Sequence, residues 1–123
     1  MKIPEEVHRT TYSIIIGRIL AKYRKALKID QETIAGKIGI KQPAWSRIER
    51  GEVGLDMETL SDVSRIMGCH PVDIINEAES TKANLEIMGI EVLMTRPSQK
   101  NNVALALLTG AALTFLMMQI ARK

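Results

Sequence analysis

Cys69 and His70 stand side by side, so a thiol and an imidazole adjoin. Such a pair could hold a metal ion or activate a sulfur nucleophile. Either task needs further groups at ligand or base spacing. Cys69 is the single cysteine of the 123 residues, and His8 is the only other histidine. No phosphate-binding GxxxxGK[ST] loop and no GxGxxG turn occurs. The acidic residues between 52 and 79 are spread over a helical surface and one loop, as on a solvated face. The chain is therefore expected not to be an enzyme and to carry no metal and no cofactor.

Charge gives a stronger lead. Residues 1–51 hold eleven Lys/Arg against five Asp/Glu, a net of +6. Residues 52–79 hold one basic and seven acidic residues, net −6, and residues 80–123 five basic and two acidic, net +3. The overall +3 thus hides a basic first third that can present one face to a polyanion. Aromatics are only 3% of the chain, which argues against sheet surfaces that stack single-stranded nucleic acid. One cysteine allows no internal disulfide and fits a reducing, cytoplasmic compartment. Residues 1–11 contain acidic side chains and no apolar core, so no signal peptide is expected.

The elements that would carry the basic residues are helices. Residues 12–27 place Ile15, Ile19, Leu20, Tyr23 and Leu27 at helical spacing, with Thr10 or Thr11 as N-cap. Asp30 opens a second helix with Ile34, Ala35 and Ile38 facing inward, and Gly39 stops it. Gln42–Arg50 forms a third, with Pro43 in its first turn, Trp45 and Ile48 buried, and Gly51 at its end. Asp56 caps a fourth, 57–67, carrying Met57, Leu60, Val63, Ile66 and Met67; Gly68 ends it. His70-Pro71 starts a fifth with Val72, Ile74 and Ile75. No β-hairpin signal appears. The expected fold class is all-α: five helices, plus a hydrophobic helix at the C-terminus.

Helices two and three are joined by Lys37-Ile38-Gly39-Ile40-Lys41, a short turn with glycine at its centre. Two short helices held this way make a helix-turn-helix. In such a unit the first helix crosses the phosphate backbone while the second puts its N-terminal face into the major groove.

The stretch 16–76 resembles the Cro/cI-type, or Xre, helix-turn-helix family. The matching pieces are Gln31-Glu32-Thr33-Ile34-Ala35, Ile38-Gly39-Ile40, Trp45-Ser46-Arg47-Ile48-Glu49-Arg50-Gly51, Met57-Glu58-Thr59-Leu60 and Gly68-Cys69-His70-Pro71-Val72-Asp73. The resemblance covers about half of the chain. It implies a sequence-specific regulator of transcription, commonly a repressor, that binds double-stranded DNA as a homodimer. It implies base-reading positions at Gln42, Pro43, Ala44 and Arg47, with Gln suited to adenine N6/N7 and Arg to guanine O6/N7. Pro43 departs from the polar residue usual there, which leaves one reader fewer. Gln31, Lys41, Ser46 and Arg50 fall on phosphate-contacting positions. Arg24 and Glu49 match a structural ion pair between the first and third helices, and Trp45 matches a buried core position.

The family pattern ends near residue 79, which suggests a DNA-binding domain over 1–79, a connecting segment over 80–102 and a hydrophobic helix over 103–123. Residues 80–94 read as a helix in preference to a strand. Residues 103–120 carry no charge, are flanked by Arg96, Lys100, Arg122 and Lys123, and as a helix would span about 27 Å. That is close to the roughly 30 Å of a bilayer core. The Ala106, Gly110, Thr114 stripe would let helices pack closely. Thr109, Thr114, Gln119 and the lack of Trp or Tyr at the ends suit a buried oligomerisation helix equally well. The segment is thus read either as a tail anchor in the cytoplasmic membrane or as a dimerisation helix. The rival function is a membrane-tethered helix-turn-helix module that binds a protein partner instead of DNA. The basic, polar face of Gln42, Arg47 and Arg50 favours DNA.

Overall fold

The computed structural model describes residues 8–95 and Met117. The elements run β1 (Arg9–Thr11), α1 (Tyr12–Ala26), α2 (Gln31–Lys37), α3 (Gln42–Glu49), α4 (Met57–Ile66), α5 (Pro71–Ile87) and β2 (Glu91–Leu93).

Local chemistry sets the helix starts. Thr11 Oγ1 accepts from the Ile14 N–H at 3.1 Å, Asp30 Oδ1 from Thr33 at 2.7 Å, and Asp56 Oδ1 from Thr59 at 2.7 Å. Each satisfies a backbone donor that the first turn leaves without an intrahelical partner. At α5 the roles reverse, since the His70 backbone N–H donates to Asp73 Oδ2 at 2.8 Å. All five helices close alike. The second residue past the cap returns its N–H to the carbonyl five residues earlier: Ile29 to Arg24, Ile40 to Ala35, Glu52 to Arg47, Cys69 to Ser64 and Ile90 to Leu85. The residue between must take a positive φ. Glycine fills it after α2, α3, α4 and α5, but after α1 it is Lys28, at φ 58°.

The core gathers around α1. Ile15, Ile19 and Leu20 are fully buried among Ile34, Trp45, Val63, Ile74 and Leu85. Gly17 lets α3 approach. A Cβ there would lie 2.5 Å from the carbonyl oxygens of Ile48 and Glu49, so no larger residue fits without moving the two backbones apart. Gly51 combines φ +72° with Ile14 Cα only 2.4 Å from where its Cβ would stand. Two glycines thus seat the end of α3 on α1.

The five expected helices are present. The structure adds a two-stranded parallel sheet, with Thr10 opposite Val92 and Thr11 opposite Leu93. Thr10 and Val92 are both buried. The region 80–94 is therefore helix only as far as Ile87; Gly89 turns the chain at positive φ, and Glu91–Leu93 is strand. The short apolar run was ambiguous because strand pairing depends on β1, some eighty residues away. The position 79/80 lies inside α5, whose buried Ile74, Ala78, Thr81 and Leu85 form one continuous stripe.

Three residues expected in the apolar faces are exposed. Met57, at the first position of α4, stands at the rim of an apolar groove of about 190 Å³ with Val53 and Leu55. Val72 lies about 200° around α5 from Ile74, away from α1. Leu27 is the C-cap of α1 and has left the buried stripe. Among the described residues no helix is long and apolar enough to cross a membrane. The expected hydrophobic helix over 103–123, with its anchor and dimerisation readings, lies outside the described residues except for Met117, which packs half-buried against the core.

Candidate nucleic-acid interface

The site is built on one buried carboxylate. Glu49, in the last turn of α3, is 2% exposed. Its Oε2 accepts from Arg24 Nε at 2.5 Å and from the Trp45 indole N–H at 2.6 Å. Its Oε1 accepts from Arg24 Nη2 at 3.0 Å and from Gln31 Nε2 at 2.7 Å. Burial pushes the Glu49 carboxyl up, but the hydrogen bonds from Arg24, Gln31 and Trp45, with the Arg24 charge, outweigh it and hold the group below the usual carboxylate range. Its hydrogen bonds to Glu49 raise Arg24 in turn. The third Arg24 nitrogen, Nη1, donates to the Ile29 carbonyl at 2.9 Å and fixes the turn into α2. One guanidinium thus ties α1, the α1–α2 turn and α3 together.

From this hub a chain of contacts runs outward. Gln31, the first residue of α2, gives one N–H to Glu49 and accepts at Oε1 from Gln42 Nε2 at 2.8 Å. Gln42 is the first residue of α3 and is exposed. The two ends of α3 are therefore linked through α2. Trp45 and Ile48 bury the opposite side of α3, which fixes its rotation about its own axis.

The candidate base-reading residues lie on the outward side. Gln42, Pro43 and Arg47 are exposed and Ala44 is half-buried. Among the candidate phosphate contacts, Lys41 is the exposed N-cap of α3 and Gln31 is half-buried in the chain just described. Ser46 and Arg50 bind each other: Arg50 Nη1 donates to Ser46 Oγ, and Arg50 Nε to Glu52 Oε2 at 2.6 Å. Arg50 is thus held by an acidic neighbour that sequence spacing alone did not single out. Trp45 was expected as core, and its indole N–H is also a partner of Glu49. The signal was available, because a buried indole seeks an acceptor and Glu49 stands one helical turn further on. The Gln31–Gln42 contact carries no such signal, as it bridges two helices. Cys69 is half-buried and His70 caps α5; among the described residues no group of His, Cys, Asp and Glu could hold a metal ion.

The helix-turn-helix family matches residues 20–74, from within α1 to the first turn of α5. Residues 20–74 are thus similar to that family, within the span 16–76 that resembles the Cro/cI type. Two solved structures share the fold. A crystal structure of the clp gene regulator ClgR from Corynebacterium glutamicum superposes with a TM-score of 0.59 at 21% identity, covering 63% of this chain and 82% of that one. A second ClgR crystal structure from C. glutamicum gives 0.54 at 21% identity, covering 57% and 91%. No curated protein matches the chain. In this helix-turn-helix domain α2 is the first helix of the motif and α3 the second, with Gly39 in the turn between them.

Proposed function

We propose that this protein is a transcriptional regulator that binds double-stranded DNA with α3 in the major groove. One observation carries the reading. The outward face of α3 presents Gln42, Pro43 and Arg47, while its inner face is fixed by Trp45, Ile48 and Glu49. Rigid placement of a few polar side chains is what base discrimination requires. The +6 of residues 1–51 supplies the attraction to phosphate. The fold shared with a protein described as a gene regulator agrees with this reading.

Gln42 and Arg47 read base edges, and Pro43 and Ala44 touch thymine methyl groups. Lys41 and Gln31 meet phosphates, joined by Ser46 and Arg50 when DNA competes with Glu52 for the Arg50 guanidinium. The protein acts as a homodimer in the cytoplasm and represses by occupying a near-palindromic operator. One α3 reads only half a site, and two are needed for tight binding.

The test is selection of bound duplexes from random sequence, followed by gel shift with Gln42→Ala and Arg47→Ala. Each substitution is expected to relax the preference at its own position by about 1–3 kcal/mol. Unchanged specificity in both variants would reject α3 as the reading helix. A helix-turn-helix that binds a protein partner instead would select no DNA at all.

A further inference from the structure

We propose that Glu52 is a built-in competitor for DNA phosphate: its carboxylate occupies the Arg50 guanidinium in the free protein and so sets DNA affinity below what the basic face would give. This inference rests on the DNA reading given above.

The pair is local and well defined. Arg50 Nε donates to Glu52 Oε2 at 2.6 Å, and Arg50 Nη2 lies 3.5 Å from Glu52 Oε1. Arg50 Nη1 donates to Ser46 Oγ, one helical turn back. The fork that would grip a phosphate through two N–H groups is therefore filled by a carboxylate. Both side chains are about half exposed, at 51% and 52%. A phosphate can thus reach the guanidinium, and the carboxylate stays beside it when it does. The backbone holds it there. The Glu52 N–H donates to the Arg47 carbonyl at 3.0 Å and closes α3. The preceding Gly51, at φ +72°, is pressed against Ile14.

Helix stability gives no reason for an acidic residue at this place. The C-terminal end of a helix is the negative end of its dipole, and a carboxylate there is repelled. In a DNA complex the phosphates repel it again. Its favourable partner is Arg50. Binding then exchanges one ion pair for another, guanidinium–carboxylate for guanidinium–phosphate. An exposed pair resists opening by about fivefold at most. The freed Glu52 adds a repulsion that salt screens. Phosphate contacts form with every sequence, so Glu52 lowers the salt-sensitive part of the affinity and leaves base reading by Gln42 and Arg47 unaltered.

The experiment titrates the full chain against its selected duplex by fluorescence anisotropy over a range of salt concentrations. Glu52→Gln keeps the size of the side chain and removes its charge. It is expected to bind about fivefold more tightly at about 0.1 M salt. Its plot of log affinity against log salt should be steeper by up to about 0.9, the contribution of one more phosphate contact, so that the gain disappears at high salt. Base preferences should not change. The same substitution is then made in Arg50→Gln, where nothing remains to compete for, and the gain should fall below about twofold. A mere loss of negative charge would give the same gain in both backgrounds. Asp62→Asn opens the exposed pair with Arg65 on α4 and controls for net charge. It should alter affinity by less than about twofold.

Unchanged or weaker binding by Glu52→Gln would overturn the inference. So would a gain of equal size in the Arg50→Gln background, or one matched by Asp62→Asn. Each of these leaves the DNA reading intact, because the protein still selects its duplex. If the unsubstituted protein selects no sequence, the DNA reading fails and this inference fails with it.

Discussion

Helix α1 makes polar bridges on two sides, and they differ in kind. Towards α3 it sends Arg24 to Glu49, with side chains 10% and 3% exposed. Towards α5 it sends Lys22 to Glu77, with side chains 56% and 28% exposed, and Tyr12 Oη to Glu79 at 2.8 Å. The residue types are similar and the consequences are not. The α5 side is wetted by solvent, so its charges can be screened and rehydrated when a partner is lost. The α3 side is dry, so each partner is bound to the other, and a lost contact leaves a charge with nowhere to go. The exposed pairs decorate a contact already made by Ile74, Ala78 and Leu85 against α1. The buried pair defines where α3 sits and, through Gln31, how its first side chain points.

The contrast can be broken most directly at Glu49. Glu49→Ala should cost about 3–5 kcal/mol in urea unfolding, because it strands the Arg24 guanidinium and the Trp45 indole. A loss no larger than that from a surface pair would mean that water reaches the hub.

The same carboxylate gives a pH signature. Its folded value lies below the value in the unfolded chain. The stability it contributes is therefore fully present above the unfolded carboxylate range, about pH 4.3, and is lost as pH falls through the folded value. Glu49→Gln should flatten the decline of stability below about pH 4.3. An unaltered decline would assign acid sensitivity to other carboxylates.

Lys28 sharpens the comparison at intermediate size. It is the only non-glycine at positive φ among the described residues, and it ends the helix that carries both bridges. Lys28→Gly should raise stability by about 1 kcal/mol in thermal melts, by removing the left-handed penalty. Destabilisation would show that the Lys28 side chain contributes more than its backbone costs.

The smallest effect belongs to the α5 side. Lys22→Ala should change stability by at most about 1 kcal/mol, and the change should vanish in 1 M salt. A larger, salt-insensitive loss would make this bridge a second anchor. Tyr12, whose phenol is pushed up to about 12 by burial and by its hydrogen bond and proximity to Glu79, stays protonated throughout the neutral range.

Much of the helical frame was legible from spacing alone. Asp30 and Asp56 as caps, Pro43 in a first turn, and glycines after α2, α3 and α4 are local signals, and local backbone chemistry realises them. Less legible were contacts between residues far apart in the chain. The strand Glu91–Leu93 exists because Arg9–Thr11 lies beside it, and the local sequence Ile90-Glu91-Val92-Leu93-Met94 contains no record of that neighbour. Met57 and Val72 fit an apolar period, yet only the packing of α4 and α5 decides which part of a helix faces inward.

The sequence by itself determined five helices, the boundaries of the first four to within a residue or two, the start of the fifth, and the choice of α3 as the candidate reader. Those properties depend on hydrogen bonds and φ preferences within a few residues. The tertiary structure alone decided that Glu49 accepts from Arg24, Trp45 and Gln31 together, and that Gln31 passes that orientation to Gln42. These contacts join α1, α2 and α3. They arise because Gly17 lets α1 and α3 close up, which carries the carboxylate out of water to where donors from three helices converge.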